Sequence, residues 1–297
     1  MAERLDDLAA SFRRHLRAEG RSERTAIIYG QAIRFHGAWL AAQGRPATAD
    51  ELSRSAIRAW LAELADLHEP STVRTRYKGL RRFCRWLVAE GELDTDPMAG
   101  LEVPHVVDRP VPVLDDADLT ALLKACSGKT FNDRRDEAVI RLLLDCGLRV
   151  SELSGLDVET VDLDREMALV TGKGSKVRPV YFGARTTRAV DRYLRERRNH
   201  RHAHDPALLL SQRGRLSADG VRDALRVRGI AAGIADLHPH RFRHTWAHDF
   251  LLAGGQERDL KRLAGWSSDV MLERYGSSTA DVRAREATKR MRRGDRV

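Results

Sequence analysis

His238-Pro239-His240-Arg241-Phe242-Arg243-His244-Thr245 is the most informative stretch of the chain. It is predicted to open a helix that runs from Pro239 to Leu252. His240 and Arg243 are three residues apart, so they lie on the same face of that helix. A purely structural helix does not require this pair at its start, which makes the face a candidate functional site.

Segments on both sides of this helix also combine cations or aromatic residues with turns. Arg149 lies two residues after Gly147, the glycine that ends a predicted helix. Lys173 lies at the tip of a hairpin, within Gly172-Lys173-Gly174. Further along, Trp266 precedes Tyr275 by nine residues. The hairpin strands are predicted at Met167–Val170 and Val177–Phe182.

The rest of the second half is predicted to be helical, with a helix start at Asp115-Asp116. Further helices are expected at Asn132–Cys146, Thr186–Arg198, Ser217–Val227, Glu257–Leu263 and Asp269–Arg274. The predicted fold class is therefore mainly α with a small antiparallel β-sheet.

The first hundred residues show apolar stripes at helical spacing. The stripes are Leu5, Leu8, Phe12 and Leu16; Ile28, Ala32, Phe35 and Trp39; and Ile57, Leu61 and Leu64. A fourth helix, Ser71–Glu90, carries a narrow apolar stripe made of Val73, Tyr77, Leu80, Cys84 and Leu87.

A basic stripe repeats the spacing of that fourth helix one position later. No acid interrupts residues 71–88, so these charges are not paired along the helix. The stripe is predicted to follow a row of phosphate groups, and a solvated arginine face is the alternative. Its residues are Arg74, Lys78, Arg81, Arg82 and Arg85.

Three prolines within residues 104–112 suggest an extended linker between two domains. We expect a helical domain at 1–105, a proline-rich linker at 106–112, and a second domain with a charged tail at 113–297. A length of 297 residues is compatible with about two domains.

Composition narrows the class of protein. Apolar residues make up 42% and charged residues 32%, which excludes a disordered chain. No apolar run reaches the length of a membrane span, so no membrane partner is expected. Three cysteines without metal-ligand spacing suggest core residues in a reducing cytoplasm. The net charge is +9, of which residues 106–297 contribute +8, and this favours a nucleic-acid partner.

The order of the residues above resembles the signature of the tyrosine recombinases, the family of phage integrases and chromosome-dimer resolvases. The matching positions are Arg149, Lys173, His240, Arg243, Trp266 and Tyr275. Trp266 departs from the histidine that is commoner there. Residues 1–105 resemble the helical, SAM-like core-binding domain of that family, and residues 113–297 resemble its catalytic domain.

The resemblance implies a site-specific recombinase that cuts and rejoins DNA through a covalent 3′-phosphotyrosine and a Holliday junction, without metal or cofactor. Tyr275 would be the nucleophile, and Lys173 the acid for the leaving 5′-oxygen. Arg149 and Arg243 suit phosphate oxygens, His240 is a base or a donor, and Trp266 offers one N–H.

The resemblance also implies partners. The expected assembly is a homotetramer on two double-stranded recombination sites, in which residues 277–297 contact a neighbour, with accessory proteins possible. Glu152 is expected to hold local geometry. Lys176 and Arg178 are expected to be backbone-contacting or solvated cations.

Three alternatives stay open on the sequence. One is a type IB topoisomerase, and another is a DNA-binding regulator that keeps the fold without cleavage. A metal site at His200, His202 and His204, or at His240, His244 and His248, is the third.

Overall fold

The computed structural model describes residues 3–105, 112–172, 174–266, 268–269, 272, 280–291 and 294. The chain divides into two compact units, Met1–Arg109 and Pro110–Val297. Apart from its last residue, the predicted linker lies outside the described residues. Within the described part, no helix is both long enough and apolar enough to cross a membrane.

The first unit is built from four α-helices with a short 3-10 helix, Ala49–Glu51, between the second and third. Helix α4 begins with Pro70 in its first turn, where a missing N–H costs nothing, and ends at Gly91, whose φ is 81°. The apolar stripe predicted for this helix is buried, as expected. The helices are α1 (Leu5–Ala18), α2 (Glu23–Ala42), α3 (Arg54–Leu67) and α4 (Pro70–Glu90).

The stripe predicted for α2 is wrong at Phe35, although Ala32 of the same stripe is buried. Ile33 and Leu40 are fully buried, whereas Phe35 is 45% exposed and lies under the guanidinium of Arg76 at 4.3 Å. Helix α2 carries apolar residues on several sides, so its periodicity does not select one face. Packing against the other helices of the unit selects it.

The second unit contains eight further α-helices among its described residues, with a 3-10 helix at Val158–Thr160. They are α5 (Asp116–Lys124), α6 (Phe131–Cys146), α7 (Val150–Ser154), α8 (Ala184–Arg197), α9 (Ala218–Ala232), α10 (Pro239–Leu252), α11 (Glu257–Ala264) and α12 (Ala280–Met291). The predicted helix at 269–274 lies mostly outside the described residues.

A three-stranded antiparallel sheet, in the order β1-β2-β3, lies in this unit. Its strands are β1 (Val161–Asp162), β2 (Met167–Thr171) and β3 (Val177–Tyr181), and Thr171 pairs with Val177 at the end of the hairpin. A second hairpin, β4 (Leu210–Ser211) and β5 (Gly214–Arg215), was not predicted. The fold class expected from the sequence is confirmed.

Helix α6 is the centre of the second unit's core. A capping box between Thr130 and Asp133 starts it, and its residues Val139, Ile140, Leu142 and Leu143 are completely buried. All three cysteines of the chain are buried and free. Cys126 belongs to the hydrophobic core, as predicted, and this burial raises the pKa of its thiol to about 12.

Candidate active site

Arg149 reaches the site because α6 ends at a glycine. Gly147 has a φ of 56°, and a Cβ atom there would lie 2.1 Å from the ring of Trp246. The chain therefore turns within two residues, and Arg149 becomes the N-cap of α7. Glycine at this position is required both by the backbone angle and by the neighbouring ring.

Glu152 holds Arg149 from the first turn of α7. Its Oε2 accepts the backbone N–H of Arg149 at 2.9 Å, and its Oε1 accepts Nη1 of the same residue at 2.8 Å. The side chain of Glu152 is only 2% exposed. The prediction that Glu152 sets local geometry agrees with these contacts.

Arg178 of β3 is the second partner of Glu152. Its Nη1 and Nη2 donate to Oε1 and Oε2 at 2.9 and 3.0 Å, and its Nε donates to the carbonyl of Leu263 at 2.8 Å. The expectation that Arg178 is an ordinary backbone-contacting or solvated cation is wrong, because its side chain is only 14% exposed and forms a bidentate ion pair with the buried Glu152. The alternation of side chains along β3 could have indicated this burial, since Arg178 lies on the same face as the buried Val180.

The charge state of Glu152 follows from these contacts. Burial by itself raises the pKa of a carboxyl group. Here the hydrogen bonds from Arg178 and from the backbone of Arg149 outweigh burial, and the pKa of Glu152 lies below its usual value. A buried carboxylate between two guanidiniums fixes the position of both.

Arg243 of α10 is buried and joins the ends of two helices. Its Nη1 donates to the carbonyl of Gly147 at 2.5 Å, and its Nη2 donates to the carbonyl of Ala264 at 2.7 Å. These carbonyls lie at the C-terminal ends of α6 and α11, where unpaired carbonyls and the helix dipole favour a cation. The guanidinium is held in place before any ligand binds.

Trp266 lies beside Arg243. The chain leaves α11 through Gly265, whose φ is 63°, and Trp266 is almost entirely buried. The guanidinium carbon of Arg243 lies 5.4 Å from the centre of the indole ring. Arg149 donates to the carbonyl of Gly265 at 3.4 Å, so the structure brings Arg149, Arg243 and Trp266 together.

A cavity of about 310 Å³ opens over Arg149 and Arg243, and Trp266 is not among its lining residues. Of the predicted site residues, the structure brings Arg149, His240 and Arg243 to this cavity. Arg222 of α9 and His238 line it as well, and neither is among the site residues predicted from the sequence. None of the described lining residues carries a carboxylate, so the cavity is suited to an anion. The others are Leu148, Val150 and Pro239.

Two predicted site residues, Lys173 and Tyr275, lie outside the described residues. The hairpin around Lys173 closes with a hydrogen bond from the N–H of Gly172 to the carbonyl of Lys176 at 2.8 Å. Gly174 and Ser175 both have positive φ values, 74° and 57°. The described hairpin thus has the tight turn that the sequence indicated.

The basic stripe of α4 divides into two parts. Arg74 and Lys78 are exposed and make no ion pair with any described residue. Arg82 forms an ion pair with Glu19, Arg85 lies 3.8 Å from the carboxylate of Asp96, and Arg81 donates to the hydroxyl of Tyr77 at 3.2 Å. Among the described residues the stripe makes no ion pair along its own helix, but α1 and the segment after α4 supply acidic partners.

The histidine-rich segments do not form a metal site in the part of the chain that is described. No group of three or more potential metal ligands occurs there. The ring of His200 stacks on Phe131, with 4.6 Å between ring centres. The ring of His202 in turn lies beside those of His200 and His204.

Comparison with known proteins follows the same division of the chain. Residues 112–281 match the model of the phage integrase family, and residues 9–91 match that of the phage integrase N-terminal SAM-like domain. The tyrosine recombinase XerC of Mycobacterium tuberculosis is 35% identical over 266 residues, which cover 86% of this chain and 88% of the relative.

Solved structures show the same fold. The Tn1549 transposon integrase in complex with transposon right end DNA has a TM-score of 0.73 at 18% identity, covering 98% of this chain and 99% of that one. A lambda integrase tetramer bound to a Holliday junction has a TM-score of 0.69 at 18% identity, covering 90% and 79%.

Proposed function

The chain belongs to the phage integrase family and is a tyrosine-type site-specific recombinase, and from this premise we propose that it acts through a covalent 3′-phosphotyrosine at Tyr275. Strand exchange then passes through a Holliday junction, and no metal takes part. The observation that carries the proposal is the convergence of Arg149, His240 and Arg243 on one cavity without a carboxylate among its described lining.

The arginines supply the electrostatic part of the reaction. Negative charge builds on the non-bridging oxygens of the phosphate as the nucleophile attacks, and preorganised guanidinium donors stabilise that charge. Arg243 is anchored by the carbonyls of Gly147 and Ala264, and Arg149 by Glu152. Little reorganisation is therefore needed when the phosphate arrives.

The covalent step needs only side chains of this chain and the DNA. The phenolic oxygen of Tyr275 bonds to phosphorus, and the bond from phosphorus to the 5′-oxygen breaks. Lys173 donates a proton to that leaving oxygen, and His240 accepts the proton of the phenol or donates to the phosphate. A 5′-hydroxyl from the partner strand then reverses these steps, and Trp266 packs against Arg243 throughout.

The first unit is proposed to hold the duplex. Residues 1–105 would act as a DNA-binding domain through Arg74, Lys78, Arg81, Arg82 and Arg85, and residues 113–297 as the catalytic domain. Four copies would assemble on two duplexes, a proposal supported by the fold shared with the lambda integrase tetramer. The enzyme would act in the cytoplasm, with or without accessory proteins.

Covalent trapping tests the proposal. The protein is incubated with sheared genomic DNA in the presence of EDTA, and DNA that stays attached under denaturing conditions is sequenced. We expect an adduct whose tyrosyl peptide contains Tyr275, and none from Tyr275→Phe. Tyr181→Phe is the matched control, because Tyr181 is exposed on β3 and outside the cavity. An adduct that persists in Tyr275→Phe, or that needs added metal, contradicts the proposal. Binding without any adduct would identify a regulator.

A further inference from the structure

Arg222 stands apart from the other cations that line the candidate active-site cavity. It comes from α9, which carries none of the signature residues, yet it lines the same cavity as Arg149, His240 and Arg243. The cavity volume of about 310 Å³ is roughly ten times the share of one water molecule in the liquid. Space therefore remains beside a single phosphate group.

The ion pair that Arg222 forms in the free protein is weak. The guanidinium forms an ion pair with Asp219, one turn earlier on α9, and that carboxylate is 89% exposed. An ion pair in solvent contributes about 0–1 kcal/mol. Arg149 and Arg243, in contrast, are held by a buried carboxylate and by helix-end carbonyls. Arg222 can thus exchange its partner for an incoming anion at little cost.

We infer that Arg222 forms a second phosphate subsite, which binds a phosphodiester of the DNA backbone next to the one that is cleaved. The inference rests on the proposed function, because that function places a DNA strand across the cavity. Phosphate oxygens offer a guanidinium two charge-assisted hydrogen bonds, against a single solvated carboxylate in the free protein. The contact exists before and during cleavage, so it contributes to binding rather than to the rate of the chemical step.

The same helix supplies a matched control. Arg226 lies one turn after Arg222 and pairs with Asp223 at the same spacing of three residues, at 3.0 Å. It does not line the cavity. Arg222→Ala and Arg226→Ala remove the same charge from the same helix and break the same kind of pair. Alanine favours a helix, so both variants are expected to fold, which thermal melting checks.

The test measures the affinity of the full chain for a 30-base-pair duplex of arbitrary sequence over a range of salt concentrations. Each phosphate contact contributes about 0.9 to the slope of log affinity against log salt. Arg222→Ala should lower that slope by about 0.9 and weaken binding roughly tenfold at low salt. Arg226→Ala should match the wild type, and equal slopes for the two variants would overturn the inference.

A second measurement separates this subsite from the reacting centre. On the site mapped by covalent trapping, Arg222→Ala should raise the DNA concentration that gives half-maximal cleavage by roughly tenfold, whereas Arg226→Ala should leave that concentration unchanged. A fall in the saturating cleavage rate of Arg222→Ala with an unchanged half-maximal DNA concentration and salt slope would overturn the inference. Failure of the proposed function has a different signature: no adduct would form at Tyr275, while the difference in slope between the two variants would still be measurable.

Discussion

Arg178 and Glu152 form a bidentate ion pair, with Nη1 and Oε1 2.9 Å apart and Nη2 and Oε2 3.0 Å apart. The same carboxylate accepts two hydrogen bonds from Arg149. One buried acid thus connects β3, the second strand of the β2–β3 hairpin, to an arginine of the candidate site. This geometry makes Arg178 a positioning residue that acts through Glu152.

Arg178→Met should lower the free energy of unfolding by about 3 kcal/mol, because it leaves part of a buried charge without a partner. Urea denaturation of the full chain measures the change. Glu152→Gln removes the charge itself, so the double variant should lose less than the sum of the two single variants. Additive losses would show that the two side chains do not act as a unit.

Arg149→Ala should slow cleavage, because it removes about 2–4 kcal/mol of transition-state stabilisation, as the loss of an oxyanion donor does. Single-turnover cleavage at saturating DNA measures it. Arg243 is buried and donates hydrogen bonds to two carbonyls, so Arg243→Ala would also destabilise the fold. Arg243→Lys is therefore the better variant for testing this arginine. Lysine keeps the charge without the fork, and we expect a large loss of rate there as well. Wild-type cleavage by either variant would remove that arginine from the reaction.

Lys173→Ala should be slower by about 10²–10⁴-fold on ordinary DNA if Lys173 is the general acid. A substrate with sulfur in the bridging 5′ position leaves as a thiolate and needs no proton, so it should restore most of the rate. The cleavage rate of Arg149→Ala should not be restored by the sulfur substrate, because charge still builds on the non-bridging oxygens. Lys176→Ala is the control and should behave nearly as wild type. Equal defects of Lys173→Ala on both substrates would assign Lys173 a positioning role.

Replacing both Arg74 and Lys78 with alanine should lower the salt slope of DNA binding by about 2, since each free cation contacts about one phosphate. Arg82→Ala should change the slope much less, because Arg82 already pairs with Glu19. Affinity titrations at several salt concentrations compare the variants. A large decrease of the salt slope in Arg82→Ala would show that the ion pair between Arg82 and Glu19 opens when DNA binds.

His36 should make the first unit sensitive to acid. Its ring is buried against Trp39 and Trp60, and neither nitrogen has a partner among the described residues. Burial, aided by Arg45, lowers the pKa of His36 to about 4. In the unfolded chain the pKa of His36 is about 6.5. Between about pH 6.5 and pH 4 the unfolded chain therefore binds more protons at His36 than the folded one, and the free energy of unfolding decreases as the pH falls through this window.

The cost of keeping His36 neutral should reach about 3 kcal/mol near pH 4. His36→Phe should remove this part of the pH dependence while keeping a ring against Trp60. Urea denaturation from pH 7 to pH 4 measures the difference between the two proteins. Parallel stability curves would show that His36 becomes protonated within the folded unit.

Much of the fold could be predicted because its signals are local. Pro239 opens α10, and Gly147 ends α6, through backbone preferences of single residues. The apolar stripe of α4 repeats at one spacing and is buried as a whole. In α2 the apolar residues surround the helix, and local spacing could not tell that Ile33 is buried and Phe35 is exposed.

The candidate site shows the same limit. The order of its signature residues identified Arg149, His240 and Arg243, and the structure brings them to one cavity. Arg222 carried no local signal, because only the packing of α9 places it in the cavity wall. Strand alternation places Arg178 on the same face as the buried Val180, but only the tertiary structure pairs it with Glu152.

By itself the sequence determined most of the helices, the β2–β3 hairpin, the order of the signature residues and the family resemblance, since these depend on backbone preferences and on short spacings. The short elements α7, β1, β4 and β5 were not predicted. The tertiary structure alone decided which charges meet. Glu19 reaches Arg82 across 63 positions, and Glu152 reaches Arg178 across 26. Ion pairs act over a few ångströms of space, and distance along the chain does not give distance in space until the helices have packed.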